Sequence, residues 1–137
     1  MRYLSIDFGE KRIGLAVCDR DERLVSPLET IQRRDDAQSI RRIVEVVAEE
    51  QIGAIVMGLP INMDGTEGPA SIRIRKFCDL LAKQLPANIE IHFQNEQLTT
   101  FAADDRLNAR ELTNAGRRRR QDAIAAAVIL EDFLRAK

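Results

Sequence analysis

The hydrophobic period of this chain changes along its length, and that change limits the fold more than any other feature. Over the first thirty or so residues apolar side chains recur every second position. Leu4, Ile6 and Phe8 alternate with Tyr3, Ser5 and Asp7, and then Ile13, Leu15 and Val17 alternate with Gly14, Ala16 and Cys18. Two period-2 strands separated by a Gly-containing turn read as an antiparallel hairpin, with Asp7 at the carboxyl end of its first strand. LVSPLETIQR reads as a third strand, which Pro27 confines to an edge or breaks. From Asp35 onward the period lengthens. Asp35 and Gln38 resemble a capping box opening a helix with Ile40, Ile43, Val44 and Val47 on one stripe, stopped near Gly53.

The run AIVMG, bounded by Gly53 and Pro60, is short and lacks polar alternation, as expected of a central parallel strand buried on both faces. A loop rich in Gly, Pro, Asn and Asp follows, then a helix carrying Ile74, Phe77, Cys78, Leu81 and Leu85 and ended by Pro86. IEIHF is the next strand, with Ile89, Ile91 and Phe93 on one face and Glu96 just past its end. A helix of roughly a dozen residues is expected after it, with Thr99 or Thr100 as N-cap and Gly116 near the stop. Arg117, Arg118, Arg119 and Arg120 then connect to a last helix opened by Asp122, whose Ala123, Ala126, Ala127, Leu130 and Leu134 are helically spaced. A hairpin and third strand followed by alternating helix and strand predict one mixed sheet covered by helices, an α/β arrangement. The 137 residues, 45% of them hydrophobic, suit one domain spanning 1–137.

Three acids stand at the ends of these elements. Asp7, Glu96 and Asp122 are far apart in the chain, yet each has an apolar frame, and Asp122 shares a helix face with Ala126, Ile129 and Phe133, so it should point toward the sheet. A carboxylate aimed into an apolar layer is costly unless it is paired or bound to a cation. Carboxylates from separate elements suit Mg2+ or Mn2+, and a pair of such ions can activate water for phosphodiester cleavage. Each acid also has a plain structural use. Asp7 suits a turn satisfied by backbone amides, Glu96 a helix N-terminus, and Asp122 an N-cap or first turn.

Net charge is −1, so a polyanion would have to be held by a local patch. The densest is Arg117 to Arg120, and arginine forks suit phosphate oxygens. The same run has a plain reading as a solvated connector. With five Phe, one Tyr and no Trp, few rings are free to stack on bases, which favours recognition of backbone and shape. His92 has no Cys or His partner at metal-ligand spacing and reads as a strand residue. Cys18 and Cys78 read as core residues of a reducing compartment. No stretch approaches a membrane span, and MRYLSIDFGEKRIG lacks a signal peptide's apolar block, so a cytoplasmic setting without membrane contact is expected. A Ser-His-Asp hydrolase is disfavoured because no Ser sits in a G-x-S-x-G elbow.

Four segments, IDFGEKRIGLAV (Ile6 to Val17), GLPINMDGTEGP (Gly58 to Pro69), NEQLTT (Asn95 to Thr100) and DAIAAAVIL (Asp122 to Leu130), resemble in that order the motifs of the YqgF/RuvX family, end to end. The resemblance implies a ribonuclease H-like fold, a five-stranded mixed sheet in order 3-2-1-4-5 with helices on both faces. It also implies a bacterial cytoplasmic nuclease that processes the 5′ end of pre-16S ribosomal RNA or resolves Holliday junctions. The family's acids fall on Asp7, Glu96 and Asp122, while its usual Asp-Glu-Arg-Leu-Thr-Thr has amides here at Asn95 and Gln97. The leading expectation is an endonuclease on structured nucleic acid, an rRNA precursor or branched DNA, with Arg12 and Arg117 to Arg120 on its phosphates. A monomer suits RNA trimming, and a homodimer suits opposed cuts in a junction. The alternatives are a binding or ribosome-assembly module with little catalysis, and a nucleotide phosphotransferase. The latter needs two such domains to clamp its nucleotide.

Overall fold

The computed structural model describes residues 1–97 and 114–137. Strands β1 (Tyr3–Phe8), β2 (Arg12–Cys18), β3 (Val25–Gln32), β4 (Ala54–Ile61) and β5 (Glu90–Gln97) form one sheet in the order β3-β2-β1-β4-β5. The β1–β2 and β2–β3 pairs are antiparallel; β1–β4 and β4–β5 are parallel. Helices α1 (Asp36–Glu49), α2 (Pro69–Gln84) and α3 (Asn114–Ala136) complete the described residues. The fold is the expected mixed sheet with helices on both faces.

Strand alternation sends β1's side chains to two cores. Leu4, Ile6 and Phe8 join Ile13, Leu15 and Val17 under α1 and α2, against Ile43, Phe77 and Leu81. Tyr3 faces the other way, under α3, with Cys18, Val56, Ile129 and Leu130, and a smaller cluster of Ala16, Ala126 and Ala127 lies beside it. Where Ala16, Ala126 and Ala127 meet, and where Gly14 lies under Asp122, α3 comes close to the sheet. Both cysteines are buried and free. Asp35 caps α1 by accepting from the Gln38 amide at 2.8 Å, and β3, with Pro27, is an edge strand whose register shifts opposite Leu15 and Ala16.

Three expected boundaries move. First, β4 continues through Pro60 to Ile61. Its pairing with β1 ends at Met57, and at Pro60 the described pairing is with β5 alone before Ile61 bridges Glu67, so a residue without an N–H is tolerated at 60. Second, β5 follows β4 to Gln97, so Glu96 lies within the strand, opposite Pro60, and not past its end. Third, α3 starts at Asn114, so Asp122 does not open the helix, Gly116 does not stop one, and Arg117 to Arg120 lie in helix and not in a connector. Arginine's unbranched stem loses little freedom in a helix, and four in succession outweigh the break that Gly116 invites. The helix expected after Glu96, with its Thr99 or Thr100 cap, falls in 98–113, outside the described residues.

Candidate acidic site

Asp7 alternates with Ile6 and Phe8, so it shares the α3-facing side of β1 with Tyr3 and Ser5. On β5 the same side carries His92, whose ring lies 5.4 Å from Phe133 and 6.3 Å from Tyr3, and by alternation Glu96. Asn95 points to the opposite face and is exposed, away from this layer. The amide at 95 therefore does not replace an acid on Glu96's side of the sheet.

Helix α3 is seated by its backbone. Gly14, the register partner of Asp7, lies directly beneath the Asp122 carbonyl, and a Cβ at 14 would run into that carbonyl and the Ala123 nitrogen. One turn on, the buried Ser5 hydroxyl donates to the Ala126 carbonyl at 2.6 Å. Gly58 then leaves room for Ile129, whose Cδ1 would be 2.5 Å from a Cβ there. Two glycines and a serine thus place Asp122 beside Asp7.

Arg12 begins β2 after the turn in which the Gly9 amide donates to the Arg12 carbonyl at 2.9 Å. Its side chain, expected on phosphate, is engaged within the protein: Nε donates to Asp122 Oδ2 at 2.6 Å, with both side chains mostly covered. The turn itself is latched from β3's end. Arg33 Nη1 donates to the Gly9 carbonyl at 2.7 Å and the Glu10 carbonyl at 2.9 Å, and its guanidinium lies 4.2 Å from the Phe8 ring centroid.

The remaining acids lack such a partner. Burial, and secondarily the Asp122 charge, push the Asp7 carboxyl from its ordinary 3.8 up to about 6. Burial first, then the charge of Asp132 and a hydrogen bond with it, then the charge of Asp7, push Glu96 up to about 7. Glu96 Oε1 is buried with no hydrogen-bond partner among the described residues. The acids thus form a series, Asp122 to Asp7 to Glu96 to Asp132, with Arg12 at one end. Among the described residues no three acid, His or Cys side chains converge tightly enough to hold an ion as they stand. Even so, the donor set fits a hard cation: it is all oxygen, two of its carboxyls resist ionising, and one buried oxygen is orphaned.

Asp132 is the member that sequence reasoning missed. It follows Ile129 by three residues on α3 and so flanks the apolar stripe, which was the available signal. His92 is, as expected, a strand residue packed among rings. No described helix is long and apolar enough to cross a membrane.

A family model described as "RuvX: Holliday junction resolvase" matches residues 1–136. A relative from Anaeromyxobacter sp. (strain K), named "Putative pre-16S rRNA nuclease", is 42% identical over 134 residues, covering 98% of this chain and 96% of the relative. One from Clostridium botulinum (strain Hall) with the same name is 37% identical over 134 residues, with the same coverage of both chains. In three dimensions the chain is similar to Thermus thermophilus RuvC in complex with Holliday junction substrate (TM-score 0.61, 14% identity, 99% of this chain and 95% of that one). It is also similar to the fowlpox virus Holliday junction resolvase (TM-score 0.58, 15% identity, full coverage of both). At such identities the likeness is one of fold.

Proposed function

Because the chain belongs to the RuvX family, we propose that it is a divalent-metal-dependent endonuclease of the cytoplasm, acting on structured nucleic acid. Its substrate on this reading is the 5′ flank of pre-16S ribosomal RNA. The observation that carries the proposal is the α3-facing acid series, in which burial raises the carboxyls of Asp7 and Glu96 toward neutral pH and one Glu96 oxygen is buried without a partner among the described residues, as ligands awaiting a cation would be.

In this reading Asp7, Glu96 and Asp122 hold Mg2+ or Mn2+. When bound there, such an ion would supply Lewis acidity for activating water and for offsetting charge on the leaving 3′ oxygen. The protein's own part is placement. Gly14 and Ser5 fix α3 over β1 and β2, Arg12 keeps the Asp122 carboxylate on the Asp7 side, and Arg33 fastens the turn between Asp7 and Arg12. Arg12 serves Asp122 first, so contact with the phosphate backbone falls mainly to Arg117, Arg118, Arg119 and Arg120.

The description of the matching family favours a second substrate, the four-way DNA junction, which a homodimer would cut and a monomer would not. Cleavage of a labelled four-way junction and of a labelled RNA precursor, each with Mg2+ or Mn2+ and with Asp7→Asn alongside, separates the readings. Metal-dependent cutting lost in the variant is expected, and the substrate that is cut names the reaction. Cutting retained in Asp7→Asn refutes the site. Salt-sensitive binding without cutting would leave an assembly module in place of an enzyme.

A further inference from the structure

The motif GLPINMDGTEGP (Gly58 to Pro69) contributes none of the acids of the site, yet it builds a defined structure beside them. Beyond Pro60 the chain turns back on itself. Ile61 bridges Glu67 in antiparallel fashion, and the Asn62 amide donates to the Thr66 carbonyl at 2.9 Å. The Gly65 amide donates to the Asn62 carbonyl at 2.9 Å, closing a β-turn over 62–65, and Gly65 takes the left-handed φ of +87° that lets the chain return. The polar side chains are spent on this small hairpin. Asn62 Nδ2 donates to Thr66 Oγ1 at 3.0 Å, and Asp64 Oδ1 accepts from the Thr66 hydroxyl at 2.6 Å and the Thr66 amide at 3.0 Å. Glu67 accepts from Arg75 of α2 at 2.8 and 3.1 Å, and that guanidinium lies 4.8 Å from the Phe93 ring centroid on β5. The buried Ser71 hydroxyl fastens α2 to the Pro60 carbonyl. What projects from the braced tip is Met63, 92% exposed, more than any other large apolar side chain described.

The place of the tip suits a polymer lying over the acids. Strands β1, β4 and β5 run parallel, so the hairpin leaves the sheet at the same end as Asp7 and Glu96. Pro60 is the register partner of Glu96, and Met63 follows it by three residues, on the order of 10 Å of extended chain or about three base-pair rises. Exposed Arg73 and Lys76 follow within the first two turns of α2. A single apolar side chain on a narrow turn offers far too little area for a stable protein interface, but it is enough to enter a step between stacked bases, and methionine's unbranched, polarizable chain suits that task. We propose that Met63 is a wedge that enters a base step of the bound nucleic acid a few nucleotides from the scissile phosphate, opening the stack so that the strand can bend toward the acids. The choice of partner rests on the nuclease reading above.

The test uses the full chain without divalent ions, so that nothing is cut, and two probes: a four-way DNA junction and an RNA carrying the 5′ flank of small-subunit ribosomal RNA. Each carries 2-aminopurine singly at successive positions, a base whose fluorescence rises when its stack opens. Wild type is expected to raise the signal at one or two adjacent positions of the probe it acts on. Met63→Ala is expected to lose that rise while keeping the wild-type melting temperature and the salt dependence of binding, since no fold contact and no phosphate contact is lost. Met63→Leu, which keeps an apolar wedge, is expected to restore it. With Mg2+ or Mn2+ present, Met63→Ala is expected to cut about 10-fold more slowly, the order of a lost buried side chain. A rise that is absent from wild type, or that persists in Met63→Ala, overturns the wedge, and the nuclease reading then stands or falls on Asp7→Asn alone. A rise that depends on Met63 with no metal-dependent cutting upholds the wedge and removes the nuclease reading. Binding of neither probe removes both.

Discussion

Replacing Asp7 with Asn should make the protein more stable at pH 8 while removing its activity. Asp7's carboxyl is raised from 3.8 to about 6 in the fold, chiefly by burial. Between those values the folded state binds a proton that the unfolded chain has lost. Wild-type stability therefore falls as pH rises from about 4 to about 6 and is level above about 7. At 1.36 kcal/mol per pKa unit the full cost of holding Asp7 ionised is about 3 kcal/mol. Asn has nearly the same shape, carries no charge to desolvate and does not repel Asp122. Urea unfolding at pH 4, 6 and 8 without divalent ions should show Asp7→Asn no more stable than wild type at pH 4 and more stable by about 2–3 kcal/mol at pH 8. Adding Mn2+ at pH 8 should stabilise the wild type and close much of that gap. A variant equally stable at pH 8, or one whose advantage persists at pH 4, would show that Asp7 is not held against its charge, and the argument from its burial would fail.

Two other perturbations address how the site is held and what it faces. Gly14→Ala sets a methyl group against the backbone of Asp122 and Ala123, which has no side chain to swing aside. It should cost about 1–3 kcal/mol, lower Tm by roughly 5–10 °C, and slow cleavage on the order of 100-fold by displacing Asp122; unchanged melting would refute the backbone seat. Changing Arg117, Arg118, Arg119 and Arg120 to Gln, which keeps helix propensity, should flatten the salt dependence of nucleic-acid binding by about one log–log unit per lost phosphate contact. An unchanged slope would move the phosphate contacts elsewhere.

What could be read beforehand and what could not divide along physical lines. Alternation in β1 sends Leu4, Ile6 and Phe8 to one face and Tyr3, Ser5 and Asp7 to the other whatever the rest of the chain does, so Asp7's side of the sheet was legible. Helical spacing similarly turned Asp122 inward with Ala126 and Ile129. Strand ends were not legible, because β4 passes Pro60 and β5 passes Phe93 only by virtue of each other's ladder. The start of α3 was misread because a run of arginines has the composition of a connector and the propensity of a helix. Arg12 pairs with a carboxylate 110 positions away, so that contact leaves no local trace.

The division of the acids between the first strand and the last helix has a consequence in time. A chain made from its amino terminus presents Asp7 and Arg12 in a local hairpin before the rest of the sheet, but β5 and α3 are synthesised after everything else that frames them. Until α3 settles on Gly14, the nascent hairpin offers one solvated aspartate of ordinary acidity and an arginine with no carboxylate to hold. If the acids do the cutting, a half-made chain leaving the ribosome carries no blade, and the surrounding RNA is safe until the final helix docks.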